Sequence, residues 1–182
     1  MTRTLVFGGA RSGKSAHAEQ LAAASGKTVV YVASAHAGDA EMAARIARHR
    51  QQRDPAWRTV EEPLALGATI EQWSAPEHVI VVDCLTVWLS NLLFSQAQAY
   101  PEVGEIIPPA RFHQEREHFL QALEQAAGDV ILVSNEVGMG IVPQGAISRW
   151  FVDEAGRLNQ TVAARCERVL WIAAGLPLVL KG

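Results

Sequence analysis

The sequence predicts an α/β protein with a mostly parallel central sheet, and three observations carry that expectation. Short, continuously apolar runs such as Thr28–Ala33 and Val79–Val82 alternate with longer segments of helical period, the pattern of buried parallel strands joined by helices. The run Thr4-Leu5-Val6-Phe7 passes directly into Gly8-Gly9-Ala10-Arg11-Ser12-Gly13-Lys14-Ser15. That is the G-x-x-x-x-G-K-S phosphate-binding loop, or P-loop, set between a strand and a helix. Finally, the run Val79–Val82 ends in Asp83, an acid at the C-terminal end of a buried strand, where α/β sheets bind ligands.

Taken in order, strand Arg3–Phe7 feeds the loop, and a helix over Lys14–Ser25 follows with Ala18, Leu21 and Ala22 inward and Gly26 at its C-terminal end. Thr28–Ala33 is a buried strand. Asp39 is the natural N-cap of a helix reaching Gln52, and Asp54-Pro55 ends it. Trp57–Val60 reads as a short strand, Leu64–Trp73 as a helix, His78–Asp83 as the strongest strand and Leu85–Phe94 as an apolar helix containing Trp88. Ser95–Pro109 has no period and holds three prolines, so it reads as a surface loop or a fray between helices. A polar amphipathic helix over Arg111–Ala127, strand Val130–Ser134, the Gly-punctuated loop Asn135–Pro143 and a long helix over Gly145–Arg165 follow. Two short strands, Val169–Ala173 and Leu178–Leu180, are joined at Gly175-Leu176-Pro177. They are close enough for a hairpin, which gives the sheet an antiparallel edge.

At 182 residues the chain is expected to be one nucleotide-binding domain, residues 1–182. A net charge of −3 offers no electrostatic case for nucleic acid or an anionic membrane. No apolar run approaches a membrane span, and the N-terminus enters a strand without a leader pattern, so the expected location is cytoplasmic. Cys84 and Cys166 are far apart and lack metal spacing, which favours a reduced pair over a disulfide. The five tryptophans, Trp57, Trp73, Trp88, Trp150 and Trp171, mostly fall in periodic segments and read as core or interface.

The chemistry starts at the P-loop. Gly8, Gly9 and Gly13 let the backbone turn tightly and present N–H groups to an anion, and the next helix adds its positive N-terminal end. Lys14 supplies a mobile charge for the β- and γ-phosphates, and Ser15 a hydroxyl for Mg²⁺. Asp83 fits the acid that holds Mg²⁺ directly or through water; capping the next helix is the alternative, and one carboxylate can do both. In the helix Asp39–Gln52, Met42, Ile46 and His49 fall at i, i+4 and i+7, which places His49 on the apolar face. Arg45, Arg48, Arg50 and Arg53 flank it. One reading is a core histidine beside a solvated basic face. The other is a phosphate site in which nearby cations keep the imidazole neutral and nucleophilic. Glu61 and Glu62, after the third strand, are candidates for a ribose or base contact or for plain surface. The loop Asn135–Pro143 reads as either an active-site loop or a tight strand-to-helix turn. Arg157 and Asn159 on the following helix cannot share a face with each other.

Several motifs occur together and in order: Gly8–Ser15, Glu41-Met42-Ala43-x-Arg45-Ile46-x-x-His49-Arg50-x-x-Arg53, Asp83-Cys84-Leu85-Thr86, Asn135-Glu136-Val137-Gly138-x-Gly140-Ile141-Val142-Pro143, Gly156-Arg157-Leu158-Asn159-Gln160 and Ala174-Gly175-Leu176-Pro177-Leu178. In this combination the chain resembles the bifunctional adenosylcobinamide kinase / adenosylcobinamide-phosphate guanylyltransferase family of cobalamin biosynthesis, over essentially its whole length. One departure is Asp54, where the family pattern has a proline that stands here one residue later, at Pro55. The resemblance implies a RecA-like P-loop NTPase fold, a homotrimer and two reactions. ATP or GTP phosphorylates the aminopropanol hydroxyl of adenosylcobinamide; GTP then guanylylates adenosylcobinamide-phosphate, giving adenosylcobinamide-GDP and pyrophosphate. It also implies catalytic roles for His49, as the residue that carries GMP covalently, and for Lys14. Nucleotide contacts map to Gly8, Gly9, Ala10, Arg11, Ser12, Gly13, Lys14, Ser15, Ala33, Ser34, Ala35, Arg50, Gln51, Gln52, Arg53, Glu61 and Asp83, with Ser15 and Asp83 at Mg²⁺.

Other classes make different predictions. A monofunctional P-loop kinase would form a nucleoside diphosphate and no covalent nucleotide. A RecA-like motor on nucleic acid needs a basic or aromatic stripe, against which the near-neutral charge argues. A GTP-dependent switch would read guanine with Asn-Lys-x-Asp, which is absent from the sequence.

Overall fold

A computed structural model describes residues 1–35 and 54–182 of the chain. The elements run β1 (Arg3–Gly8), α1 (Lys14–Ala24), β2 (Thr28–Ala33), β3 (Arg58–Glu61), α2 (Leu66–Trp73), β4 (His78–Asp83), α3 (Leu85–Leu93), α4 (Ala110–Gln125), β5 (Asp129–Asn135), α5 (Ala146–Arg165), β6 (Arg168–Ala173) and β7 (Leu176–Lys181). The helix expected over Asp39–Gln52, with His49 and its four arginines, lies outside the described residues.

The strands form one seven-stranded sheet in the order β3-β2-β4-β5-β1-β6-β7. Every pairing is parallel except β6 with β7. Because side chains alternate along a strand, the apolar runs feed two cores. Val6, Tyr31, Val81 and Val133 meet Ala18 and Ala22 of α1 on one face. The small alanines let α1 lie close to β1, β5 and β4. On the other face Leu5, Val32, Val82 and Leu132 pack with Trp88, Phe119, Leu123 and Leu158. Trp88 is fully buried and its ring centroid is 4.9 Å from that of Phe119. Its indole N–H donates to the Leu64 carbonyl at 2.7 Å, which satisfies the polar end of an otherwise apolar side chain.

Three boundaries moved for identifiable reasons. The second helix begins at Leu66 rather than Leu64, because the Glu62 carboxylate accepts the Leu64 and Ala65 N–H groups, each at 2.8 Å, and ends the extended segment there. The third strand is Arg58–Glu61; Trp57 lies just outside it and stacks on Tyr31, centroids 6.4 Å apart. The last turn is Ala174-Gly175 rather than Gly175-Leu176-Pro177. Both turn residues have positive φ (53° and 79°), as a two-residue hairpin of matching twist requires. Leu176 and Pro177 belong to β7, with Pro177 opposite Ile172. This is the outer strand of the sheet, where a missing N–H is tolerated. All of β7 is exposed, Leu176 at 71%, Leu178 at 61% and Val179 at 57%.

Residues 95–109 contain no helix or strand, as expected. They are tied down by Tyr100, whose hydroxyl donates to the Leu93 carbonyl at 2.6 Å. Helices α4 and α5 are joined by the buried Glu154, which takes Arg116 at 2.6 Å on one oxygen and Arg157 on the other. Both cysteines are free and buried.

Candidate active site

The loop between β1 and α1 is shaped by its own residues and by the β6–β7 turn. Gly13 has φ +95°, a conformation that a side chain rarely adopts. Gly8 is constrained by contact: a Cβ there would stand 2.3 Å from the Ile172 carbonyl oxygen and 2.9 Å from Ser12 Oγ. That oxygen belongs to the β6 backbone beside Gly8, so it cannot swing away as a side chain would. Gly8→Ala is therefore expected to cost about 2 kcal/mol or more, lowering the melting temperature by about 4 °C or more. Differential scanning fluorimetry checks this, and an unchanged melt rules the close packing out. From the hairpin side, the Gly175 N–H donates to the Ser12 carbonyl at 2.8 Å. The resulting cradle has Ala10 and Arg11 exposed at its tip and Ser12 buried beneath.

Lys14 opens α1, and its ammonium folds back to the Gly9 carbonyl at 3.1 Å. Ser15 follows, half-buried. Two strands away, Asp83 closes β4 and its Oδ2 accepts the Tyr31 hydroxyl at 2.7 Å. The buried Cys84 thiol lies near both groups. Burial, and after it the Asp83 charge, push the Cys84 thiol up to about 11, while Lys14 acts in the opposite sense. The thiol is neutral at ordinary pH, and the loop lysine and the strand acid are both within electrostatic reach of it.

Ser15 and Asp83 supply hard oxygen donors, which suit Mg²⁺. Among the described residues no group of three or more His, Cys, Asp or Glu could hold a metal. Such a donor set fits an ion that takes one or two protein oxygens and completes its shell with phosphate and water.

Ala33 ends β2 level with Asp83 and with Glu61. Ser34 is fully buried; its hydroxyl donates to the Cys84 carbonyl and accepts the Cys84 N–H, both at 2.8 Å. Asn91 on α3 then donates to the Ser34 carbonyl at 2.7 Å and the Pro63 carbonyl at 3.1 Å. The Ser34 hydroxyl is thus engaged in holding the segment, and Ala35 is half-buried beside it. Glu61 is exposed. Glu62, a second candidate for a ribose or base, accepts the Leu64 and Ala65 N–H groups in the turn before α2. His49, Arg50, Gln51, Gln52 and Arg53 lie outside the described residues.

The loop after β5 starts inside this site. The Glu136 N–H donates to the Gly8 carbonyl at 3.0 Å, and Glu136 Oε1 accepts the Gly138 N–H at 2.5 Å. Beyond it Met139, Ile141 and Val142 are exposed at 76%, 98% and 73%. Pro143 then borders an apolar groove of about 280 Å³ with Leu93, Phe94, Ile147 and Phe151. Of the two residues on α5 that cannot share a face, Arg157 turns outward to pair with Glu154, and Asn159 turns inward, donating to the Asn135 carbonyl at 3.1 Å. Sequence reasoning missed Tyr31, Asn91 and the hairpin turn as parts of the site. Tyr31 and Asn91 sit in apolar segments, and only their partners reveal them. The turn was visible as a motif without a contact to explain it.

Comparison with known proteins gives a consistent result. Residues 4–180 match the family described as cobinamide kinase / cobinamide phosphate guanyltransferase. The bifunctional adenosylcobalamin biosynthesis protein CobP of Pseudomonas aeruginosa is 52% identical over 99% of this chain and 98% of its own. The Escherichia coli protein CobU, also described as bifunctional in adenosylcobalamin biosynthesis, is 40% identical over 97% of this chain and 98% of its own. Among solved structures, a type III secretion ATPase aligns with TM-score 0.59 at 12% identity, covering 98% of this chain and 56% of that one. The RadB recombinase aligns with TM-score 0.50 at 20% identity, covering 93% of this chain and 73% of that one. These two likenesses concern the fold, a P-loop NTPase sheet of RecA-like kind. With a family match over nearly every residue and a phosphate cradle assembled as that fold requires, the chain belongs to the cobinamide kinase / cobinamide phosphate guanyltransferase family.

Proposed function

We propose that the protein catalyses two successive transfers to one substrate. In the first, the aminopropanol hydroxyl oxygen of adenosylcobinamide attacks the γ-phosphorus of ATP or GTP. The bond to the β-phosphate oxygen breaks, a nucleoside diphosphate leaves, and the hydroxyl proton passes to solvent. In the second, an imidazole nitrogen of His49 attacks the α-phosphorus of GTP and expels pyrophosphate. A phosphate oxygen of adenosylcobinamide-phosphate then attacks the same phosphorus, the N–P bond breaks, and adenosylcobinamide-GDP is released. A direct transfer would have to align two bulky substrates at one phosphorus, and a covalent histidine divides that task into two displacements.

The observation that carries the reading is the family match over residues 4–180 of a chain whose Gly8–Ser15 segment forms a phosphate cradle. In this reading the loop N–H groups and Lys14 hold the β- and γ-phosphates, and Ser15 and Asp83 hold Mg²⁺. When bound, that ion neutralises charge on the transferring phosphates. Tyr31 orients the Asp83 carboxylate through their 2.7 Å hydrogen bond. Ala33, Ala35, Glu61 and the Arg50–Arg53 segment complete the nucleotide contacts, and the buried Ser34 holds the 33–35 segment in place for them. The assembly is a homotrimer, a reading that the exposed apolar edge strand β7 supports.

The test is incubation of the protein with Mg²⁺, GTP and adenosylcobinamide, followed by mass spectrometry. The expected products are adenosylcobinamide-phosphate, then adenosylcobinamide-GDP and pyrophosphate. Phosphate ester alone would reduce the protein to a kinase, and no product would remove both activities. Light scattering of the same preparation is expected to give the mass of three chains; one or two would exclude the trimer.

A further inference from the structure

The Asn135–Pro143 motif has no part in the scheme above, yet its first residue stands between the two halves of the phosphate site. Strand β5 lies between β1, which carries the P-loop, and β4, which carries Asp83. Asn135 is level with Gly8 across one pairing, and Val133 is level with Asp83 across the other. Asn135 therefore projects two residues, about 6–7 Å, past the level of Asp83 toward the ligand edge of the sheet. Val133, two residues back, faces α1, so Asn135 faces the same side. Its Nδ2 lies 4.0 Å from Cys84 Sγ, the thiol that both Lys14 and Asp83 influence.

The backbone of Asn135 is clamped on both sides. Its N–H donates to Thr86 Oγ1 at 2.8 Å, and its carbonyl accepts from the buried Asn159 at 3.1 Å. Thr86 lies three residues after Asp83 in the chain, so the segment that carries the acid also holds Asn135. The side chain is treated differently. Among the described residues, the only partner of its amide N–H₂ is that sulfur, a weak acceptor at the limit of contact. A rigidly held backbone presenting a lightly engaged donor is the arrangement by which a site stabilises charge that develops during reaction.

We propose that Asn135 is a catalytic residue of the phosphorylation step, its carboxamide donating a hydrogen bond to the terminal phosphoryl group between Lys14 and Asp83. The phosphoryl group in question is the terminal one because Lys14 and an ion held at Ser15 and Asp83 both reach the β- and γ-oxygens, and the strand edge at Asn135 lies between them. Thr86 and Asn159 are positioning residues, acting through the Asn135 backbone.

This inference rests on the kinase half of the proposed function, and the experiment separates the two. Wild-type protein is assayed first, with whichever of ATP and GTP phosphorylates adenosylcobinamide faster. An inactive wild type overturns the kinase reading itself. With an active wild type, Asn135→Ala is expected to slow single-turnover phosphorylation about 100-fold. It is also expected to weaken binding of the β,γ-imido analogue of that donor while leaving the affinity for the corresponding diphosphate within about twofold. The isosteric Asn135→Asp keeps the volume and both backbone clamps but loses the donor, and is expected to be slower still. If Asn135→Ala does not fold, Asn135→Asp is read by the same two measurements. A single-turnover rate within threefold of wild type overturns the proposal. So does an equal loss of diphosphate and triphosphate binding, which would mark Asn135 as a support for the loop alone.

Discussion

Replacing Lys14 with alanine is expected to leave a folded protein that phosphorylates adenosylcobinamide about 10²–10³-fold more slowly. The fold should survive because Lys14 is half-buried at the start of α1 and contributes nothing to either apolar core. The loop keeps its shape through contacts that do not involve the side chain: the Gly175 N–H to Ser12, the close packing of Gly8 on β6, and the first turn of α1, where the His17 N–H meets the Gly13 carbonyl at 3.0 Å. What disappears is a side-chain cation that reaches back over the cradle, 3.1 Å from the Gly9 carbonyl. A phosphoryl group in transit spreads charge over its oxygens, and a fixed cation in a water-poor site stabilises that charge more than the ground state. Steady-state phosphorylation beside a thermal melt checks both halves of the expectation. A variant that melts like wild type and keeps its rate would remove Lys14 from the chemistry.

The second large effect concerns His49. With α-³²P GTP and Mg²⁺ the wild-type protein is expected to acquire a radioactive label that acid removes, as a phosphorus–nitrogen bond requires. His49→Ala is expected to carry no label and to form adenosylcobinamide-GDP on the order of 10⁴-fold more slowly or worse, the scale on which loss of a nucleophile acts. The reasoning is chemical. On the expectation from sequence spacing, His49 would share an apolar face with Met42 and Ile46 among Arg45, Arg48, Arg50 and Arg53; such cations would favour a neutral imidazole and compensate the α-phosphate it attacks. Gel autoradiography and product assay decide it. A His49→Ala protein that still labels and turns over is incompatible with a covalent step at this residue.

The parts legible in the sequence are those governed by local rules. Continuous apolar runs become strands buried on both faces, so β2 and β4 were found to the residue. The P-loop was legible because a tight anion-binding turn needs glycine at set places, and Gly13 does carry the positive φ that explains it. The errors arose where a specific contact, rather than the residue types of a segment, decides the outcome. Glu62 reads as a surface acid until the turn into α2 offers it the Leu64 and Ala65 N–H groups. The turn was placed around Pro177 because proline suggests a turn, whereas the antiparallel register with β6 puts Pro177 in an edge strand.

The same division holds at the site. The residue types for phosphate chemistry could be read from spacing, because a motif is local by construction, and the motifs in combination carried the resemblance to the family that residues 4–180 match. That Gly8 is level with Asn135, that Tyr31 holds Asp83, and that the Ala174-Gly175 hairpin clasps Ser12 depend on strand order and register. Those are set by packing two apolar faces of one twisted sheet, a long-range balance that no stretch of the chain encodes alone. The strand order therefore put an asparagine between lysine and acid, and made a loop that reads equally well as a plain turn into a candidate for the reaction itself.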